Sequence, residues 1–156
     1  MRLLFEMDQK DYRTDGRAFV RPSARALIVR SEKIAMVHSL KYDYYKFPGG
    51  GIEAGEAPVD ALLRETAEEA GLRIRPETVR AYGYVHRIQR SDHADAEVFI
   101  QDNYYYLCET EPEPIEQRLD DYEADERFTL EWVAPQDAIH VNRSRDHGPK
   151  EPLMLE

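Results

Sequence analysis

The stretch from Pro48 to Leu72 constrains this 156-residue chain most, because a Pro-Gly-Gly-Gly loop there precedes a helix that can be delimited at both ends. Pro58 suits the first turn, where its missing N–H costs nothing, and Gly71 supplies the C-terminal stop. Val59, Leu62, Leu63, Thr66, Ala67 and Ala70 recur on one arc at 100° per residue, which predicts the buried face. Glu65, Glu68 and Glu69 fall on another arc, since spacings of three and four bring side chains together. Like charges so placed cost roughly a few tenths of a kcal/mol per pair. Glu68 and Glu69 also occupy the last turn, where the helix dipole favours cations. Arg64 offsets part of this by pairing with Glu68 at i+4. One reading is an exposed acidic face of a good helix former. The other is a hard-cation site: Mg²⁺ takes oxygen ligands, and glycines let backbone approach without a Cβ in the way.

The rest of the chain supplies the frame. Residues 26–29 and 34–37 predict a pair of strands, followed by strands over 79–85, 98–107 and 128–133 and a second helix opening at Pro135. Tyr104, Tyr105 and Tyr106 read as alternating positions of a strand, or as a ring for a base to stack on. Residues 109–126 hold nine carboxylates against the single Arg118, which predicts a solvated loop. No internal repeat or Gly/Ser linker divides the chain. The expectation is one domain over 1–156, with a core of about 20–145 and a loosely held tail from about Gly148. Strands flanking a strong central helix, with a second helix near the end, predict an α/β (α+β) fold with a mixed sheet between helices.

Composition narrows the function classes. The chain is 42% hydrophobic and 33% charged, which fits neither a disordered nor a membrane protein. Charge after Phe5 argues against a signal peptide. Cys108 is the only cysteine, so a reducing compartment, the cytoplasm, is expected, with Cys108 inert in the core. The formal net charge of −10 argues against nucleic-acid binding by charge neutralisation. Residues 1–48 nevertheless hold ten Lys/Arg against six Asp/Glu. An acidic protein can still bind phosphates where metal ions bridge the like charges. His38, His86, His93, His140 and His147 show no metal-ligand spacing.

Residues 50–72, GGIEAGEAPVDALLRETAEEAGL, resemble the Nudix box, G-x5-E-x7-R-E-U-x-E-E-x-G-U with U a bulky apolar residue. Gly50, Glu56, Arg64, Glu65, Glu68, Glu69 and Gly71 match the seven fixed identities, and Leu72 fits the final U. Thr66 departs at the other U position, where no ligand is touched. Seven such matches arise by chance on the order of 10⁻⁹ per start at ~1/20 per position. The resemblance implies an α/β/α sandwich that hydrolyses a nucleoside diphosphate linked to a further group X, using Mg²⁺ or Mn²⁺.

By the same resemblance, Glu65, Glu68 and Glu69 are implied metal ligands, joined by a carbonyl of Gly49 or Gly50. Arg64 would orient the glutamates, and Glu56 would hold the loop. A further carboxylate usually serves as base; Glu126 is the first choice here and Glu123 the second. Arg25, Lys46 and Arg87 flank the expected site as candidate phosphate contacts. The implied partner is a small nucleotide, with no nucleic acid and no membrane, and dimers are frequent in the family. No proline occurs between Pro76 and Pro112, where ADP-ribose hydrolases commonly carry one. Ile88, Gln89 and Arg90 stand where dinucleoside polyphosphate hydrolases often place a tyrosine. Elimination leaves a nucleoside triphosphate, ordinary or damaged, as the expected substrate of a MutT-like enzyme. Sugar nucleotides, ADP-ribose and dinucleoside polyphosphates are the alternatives. A nucleotide-binding regulator generally loses box glutamates, and this chain keeps them. An acidic Ca²⁺-binding module would instead bind a partner on metal alone.

Overall fold

The structure is a computed structural model and describes residues 1–150. Among the described residues, ten strands and three α-helices follow one another: β1 (Leu3–Asp8), β2 (Ala18–Val20), β3 (Ser23–Leu27), β4 (Val29–Arg30), β5 (Lys33–Ser39), β6 (Tyr44–Lys46), β7 (Gly49–Gly51), α1 (Pro58–Ala70), β8 (Arg80–Arg90), β9 (Val98–Leu107), α2 (Asp121–Asp125), β10 (Phe128–Val133) and α3 (Pro135–Ser144).

The strands form two sheets. The larger runs β1-β8-β9-β3-β7, with β2 also on β9, and is mixed: β1 lies parallel to β8 and β3 parallel to β9, whereas β8–β9 and β3–β7 are antiparallel. The smaller, β10-β5-β4 with β6 on β5, is antiparallel throughout. The expected strand over 26–29 divides at Ile28, where the chain leaves one sheet for the other. Ile28 is buried, and its carbonyl accepts the Ala35 N–H at 3.0 Å.

The helix over 58–70 has its expected bounds. No side chain caps its start, so Pro58 at the first turn carries that role, and Gly71 closes it at φ 64°. Its buried residues are Ala61, Leu62, Thr66, Glu69 and Ala70. The expected face is therefore rotated: Val59, Leu63 and Ala67 are only partly buried, and Glu69 has turned inward. α1 packs against β3 and β7 of the larger sheet and reaches β5 and β10 of the smaller, so the core of Ala24, Ala26, Val37, Leu62 and Phe128 lies between them. α3 packs on β6.

Three stretches of the chain do more in the fold than their sequence suggests. Residues before 20 are part of the sheet framework, through β1 and β2. The acidic segment 109–126 is not simply solvated, because Thr110 bridges Ile74, α2 forms, and Glu123 and Glu126 are buried. Next to the expected tail, His147 is buried between the Tyr42 and Asn142 carbonyls at 3.0 and 2.9 Å, and within it Lys150 pairs with Glu126. Residues 151–156 of that expected tail lie outside the described residues. No helix among the described residues is long and apolar enough to cross a membrane.

Candidate active site

The glycine loop and the end of α1 meet because β7 pairs with β3, Ala24 opposite Gly50 and Arg25 opposite Gly49. Gly49 sits at φ 128°, a conformation side chains rarely adopt, and a Cβ there would run into the backbone of Ala24. A Cβ at Gly50 would overlap the carboxylate of Glu65, so the glycine is the space that carboxylate fills.

Arg64 organises this end of the helix. It grips Glu56 with two hydrogen bonds of 2.9 and 2.8 Å, donates to Glu65 at 2.6 Å and to the Gly51 carbonyl at 3.2 Å, and approaches Glu68 to 3.7 Å. The guanidinium, with the Glu53 N–H, lowers the Glu56 carboxyl to about 2. Glu68 also faces Arg118 at 3.4 Å.

Glu69 is different in kind. It is 1% exposed, its Oε2 accepts the Gly49 N–H at 3.1 Å, and its Oε1 takes no backbone hydrogen bond. The Lys46 ammonium stands against that oxygen as an ion-pair partner. Burial pushes the Glu69 carboxyl above the usual range, and the charges of Lys46 and Arg25 oppose this. A facing cation lowers the cost of keeping a buried carboxylate ionised.

The expected base candidates lie nearby but are engaged. Glu123 accepts the Asp120 N–H at 2.9 Å and the Tyr122 hydroxyl at 3.0 Å, holding the first turn of α2. Glu126 Oε2 accepts from Ser39 at 3.0 Å and Tyr44 at 2.7 Å, while Oε1 pairs with Lys150. Burial and the Glu126 carboxylate push the Tyr44 hydroxyl well up, and the Glu69 charge adds to this.

Arg25, Lys46 and Arg87 line one cleft of about 690 Å³ between the larger sheet, β6 and α3. Arg90, Arg143 and Lys150 line it too, and among the described residues the only acidic one on its wall is Asp92. So a chain of net charge −10 presents a cationic cleft. Arg25 donates to the Gly49 carbonyl, which engages one of the two carbonyls expected to serve a metal. Arg87 donates to Gln89 at 2.7 Å and lies over the Phe99 ring. Tyr105 lines the cleft, whereas Tyr104 and Tyr106 pack with the core on the other face, as strand alternation predicts. The wall residues Phe5, Met7, Phe19 and Phe99 escaped the sequence reading. Their only signal is alternate apolar positions in short strands, which becomes a cleft once β1 and β2 are placed.

The donor chemistry here suits a hard divalent cation: carboxylates at Glu65, Glu68 and Glu69, a buried Glu69 oxygen already facing a cation, and backbone at a glycine. In the arrangement described, Arg64 and Lys46 hold those carboxylates, and no three acidic, histidine or cysteine side chains among the described residues converge on one point.

A family model described as NUDIX domain matches residues 20–155. The chain is similar to the RNA pyrophosphohydrolase of Hydrogenovibrio crunogenus, 39% identical over 64 residues, which is 40% of this chain and 38% of that protein. The RNA pyrophosphohydrolase of a Psychrobacter species is 55% identical over 31 residues, 20% of this chain and 18% of that protein. These matches span well under half the length of either relative. Among solved structures, a NUDIX hydrolase from Nitrosomonas europaea superposes with a TM-score of 0.62 at 16% identity, covering 88% of this chain and 84% of that one. A putative nudix hydrolase family member from Chromobacterium violaceum gives 0.52 at 22% identity, covering 88% and 74%. At these identities the structural likeness speaks for the fold.

Proposed function

The chain belongs to the Nudix family, and from that premise we propose that it hydrolyses a phosphoric anhydride in a nucleoside diphosphate linked to a further group, with a nucleoside triphosphate as the leading substrate. The observation that carries this reading is the cationic cleft of an acidic protein, joined to the glutamates of α1 through Lys46. A polyphosphate satisfies both features, since it is anionic and binds divalent cations.

Glu65, Glu68 and Glu69, with the Gly50 carbonyl, would hold Mg²⁺ or Mn²⁺. Bound there, the ion would neutralise phosphate charge and lower the pKa of a water. Arg64 positions Glu65 by direct donation and keeps the loop closed through Glu56. Arg25 and Arg87 supply fixed positive charge to the polyphosphate. Glu126 is the proposed base. Ser39 and Tyr44 fix its Oε2, leaving Oε1 with Lys150, whereas both oxygens of Glu123 serve α2. A second reading, supported by the name of the curated relatives, takes the 5′-triphosphate end of an RNA as substrate.

The test is a metal-supplemented screen of nucleoside triphosphates, sugar nucleotides, dinucleotides and a 5′-triphosphorylated oligonucleotide. A triphosphate should yield monophosphate and pyrophosphate; release of orthophosphate alone would overturn the reading. Faster turnover of the oligonucleotide than of free triphosphates would favour the second reading.

A further inference from the structure

Lys46 is a cleft-wall cation that ion-pairs with a glutamate of α1. Its side chain is 17% exposed, its ammonium pairs with the 1%-exposed carboxylate of Glu69, and it also lies 4.6 Å from the centre of the Phe128 ring. A carboxylate at such burial is strongly unfavourable unless a cation faces it, and in the metal-free protein that cation is Lys46. Glu69 Oε2 accepts the Gly49 N–H, and the ammonium of Lys46 stands at Oε1.

We infer that Lys46 is the resident counter-cation of Glu69, and that a divalent cation arriving at Oε1 displaces it into the cleft, where its ammonium becomes available to a phosphate. This rests on the proposed metal-dependent reading of the site. Two like charges cannot share one carboxylate oxygen at contact distance without strong repulsion. Lysine suits the exchange: its charge is a compact ammonium on a flexible four-carbon stem, and the open side of that stem is the cleft. The consequence is an order of events. Before metal binds, the Lys46 ammonium is held on Glu69. Afterwards a phosphate meets Arg25, Arg87 and a freed Lys46 together.

Residue-resolved acetylation with acetic anhydride, read by mass spectrometry on the wild-type protein with and without Mg²⁺, tests this directly. Lys46 should label several-fold faster with saturating Mg²⁺, while the exposed Lys10 and Lys33 keep their rates. Unchanged Lys46 labelling, in a protein whose melting temperature Mg²⁺ does raise, would overturn the exchange. Absence of any Mg²⁺-induced melting shift would overturn the metal reading beneath it. The second arm is Lys46→Met, in which the metal meets no competitor. Its Mn²⁺ dissociation constant, from paramagnetic resonance of free Mn²⁺, should fall about three- to tenfold. Equal or weaker Mn²⁺ binding would overturn the exchange. Lys46→Arg, which keeps the charge, should bind Mn²⁺ no more tightly than wild type; tighter binding would also overturn it.

Discussion

Glu69 shows how much one side chain's environment changes its energetics. Read along the helix, it is one of three mutually repelling acids, and removing it should relieve strain. In the fold it is instead a buried partner of Lys46 and the acceptor for the Gly49 N–H. Glu69→Gln therefore removes a paired charge and leaves Lys46 half-buried without its partner. It should destabilise the metal-free protein by about 1–3 kcal/mol and cut turnover well over tenfold. Thermal melts paired with rates check both halves; an apoprotein as stable as wild type would show that the pair contributes nothing. Cys108 makes a simpler case. Burial pushes its thiol up to about 12, so the reactive thiolate is scarce at ordinary pH. Iodoacetamide at about pH 8 should modify it only at the rate of unfolding, measurable by intact mass with and without denaturant.

At the scale of elements, the loop before α1 depends on two local devices. Gly49→Ala would force a Cβ into the Ala24 backbone at a positive φ, breaking the β3–β7 pairing that carries the glycines to α1. A loss of about 2–4 kcal/mol is expected, combining strain and lost pairing, with denaturant unfolding as the measurement. The second device is the Glu56–Arg64 pair. The Glu56 carboxyl is lowered in the fold, so its contribution is fully present above the ordinary carboxylate range near 4.5 and is lost as pH falls toward about 2. Glu56→Gln should therefore lower stability at neutral pH and flatten its decline across that acid window. A decline as steep as wild type's would place the acid-sensitive group elsewhere. Replacing Glu126 by Gln should lower kcat by about 10²–10⁴-fold with a much smaller change in KM, the range for a general base. The milder variant should be Glu123→Gln; if it is the crippling one, the roles of the two acids are exchanged.

Across the whole molecule, charge is sorted rather than uniform. The chain is strongly acidic, yet its cleft gathers Arg25, Lys46, Arg87, Arg90, Arg143 and Lys150. Attraction of a polyphosphate to such a cleft should be screened by salt. Raising ionic strength from about 0.05 to about 0.5 M shortens the Debye length to about a third, so KM should rise several-fold with kcat little changed. A flat KM would mean that short-range contacts hold the substrate instead.

What the amino-acid sequence determined by itself is local. The bounds of α1 follow from Pro58 and Gly71, and the strands over 98–107 and 128–133 from their residue types. The grouping of Arg64, Glu65, Glu68 and Glu69 follows from the helical period. Each depends on neighbours within a few turns, so each is readable in one dimension. Tertiary structure decided everything that needs distant partners. Pairing of β1 with β8 brought Phe5 and Met7 to the cleft from residues that read as a peripheral N-terminus. The division at Ile28 made two sheets of the strands. Rotation of α1 against β3 and β7 turned Glu69 inward to Lys46, because a helix's buried face is chosen by what it packs against as well as by its own pattern.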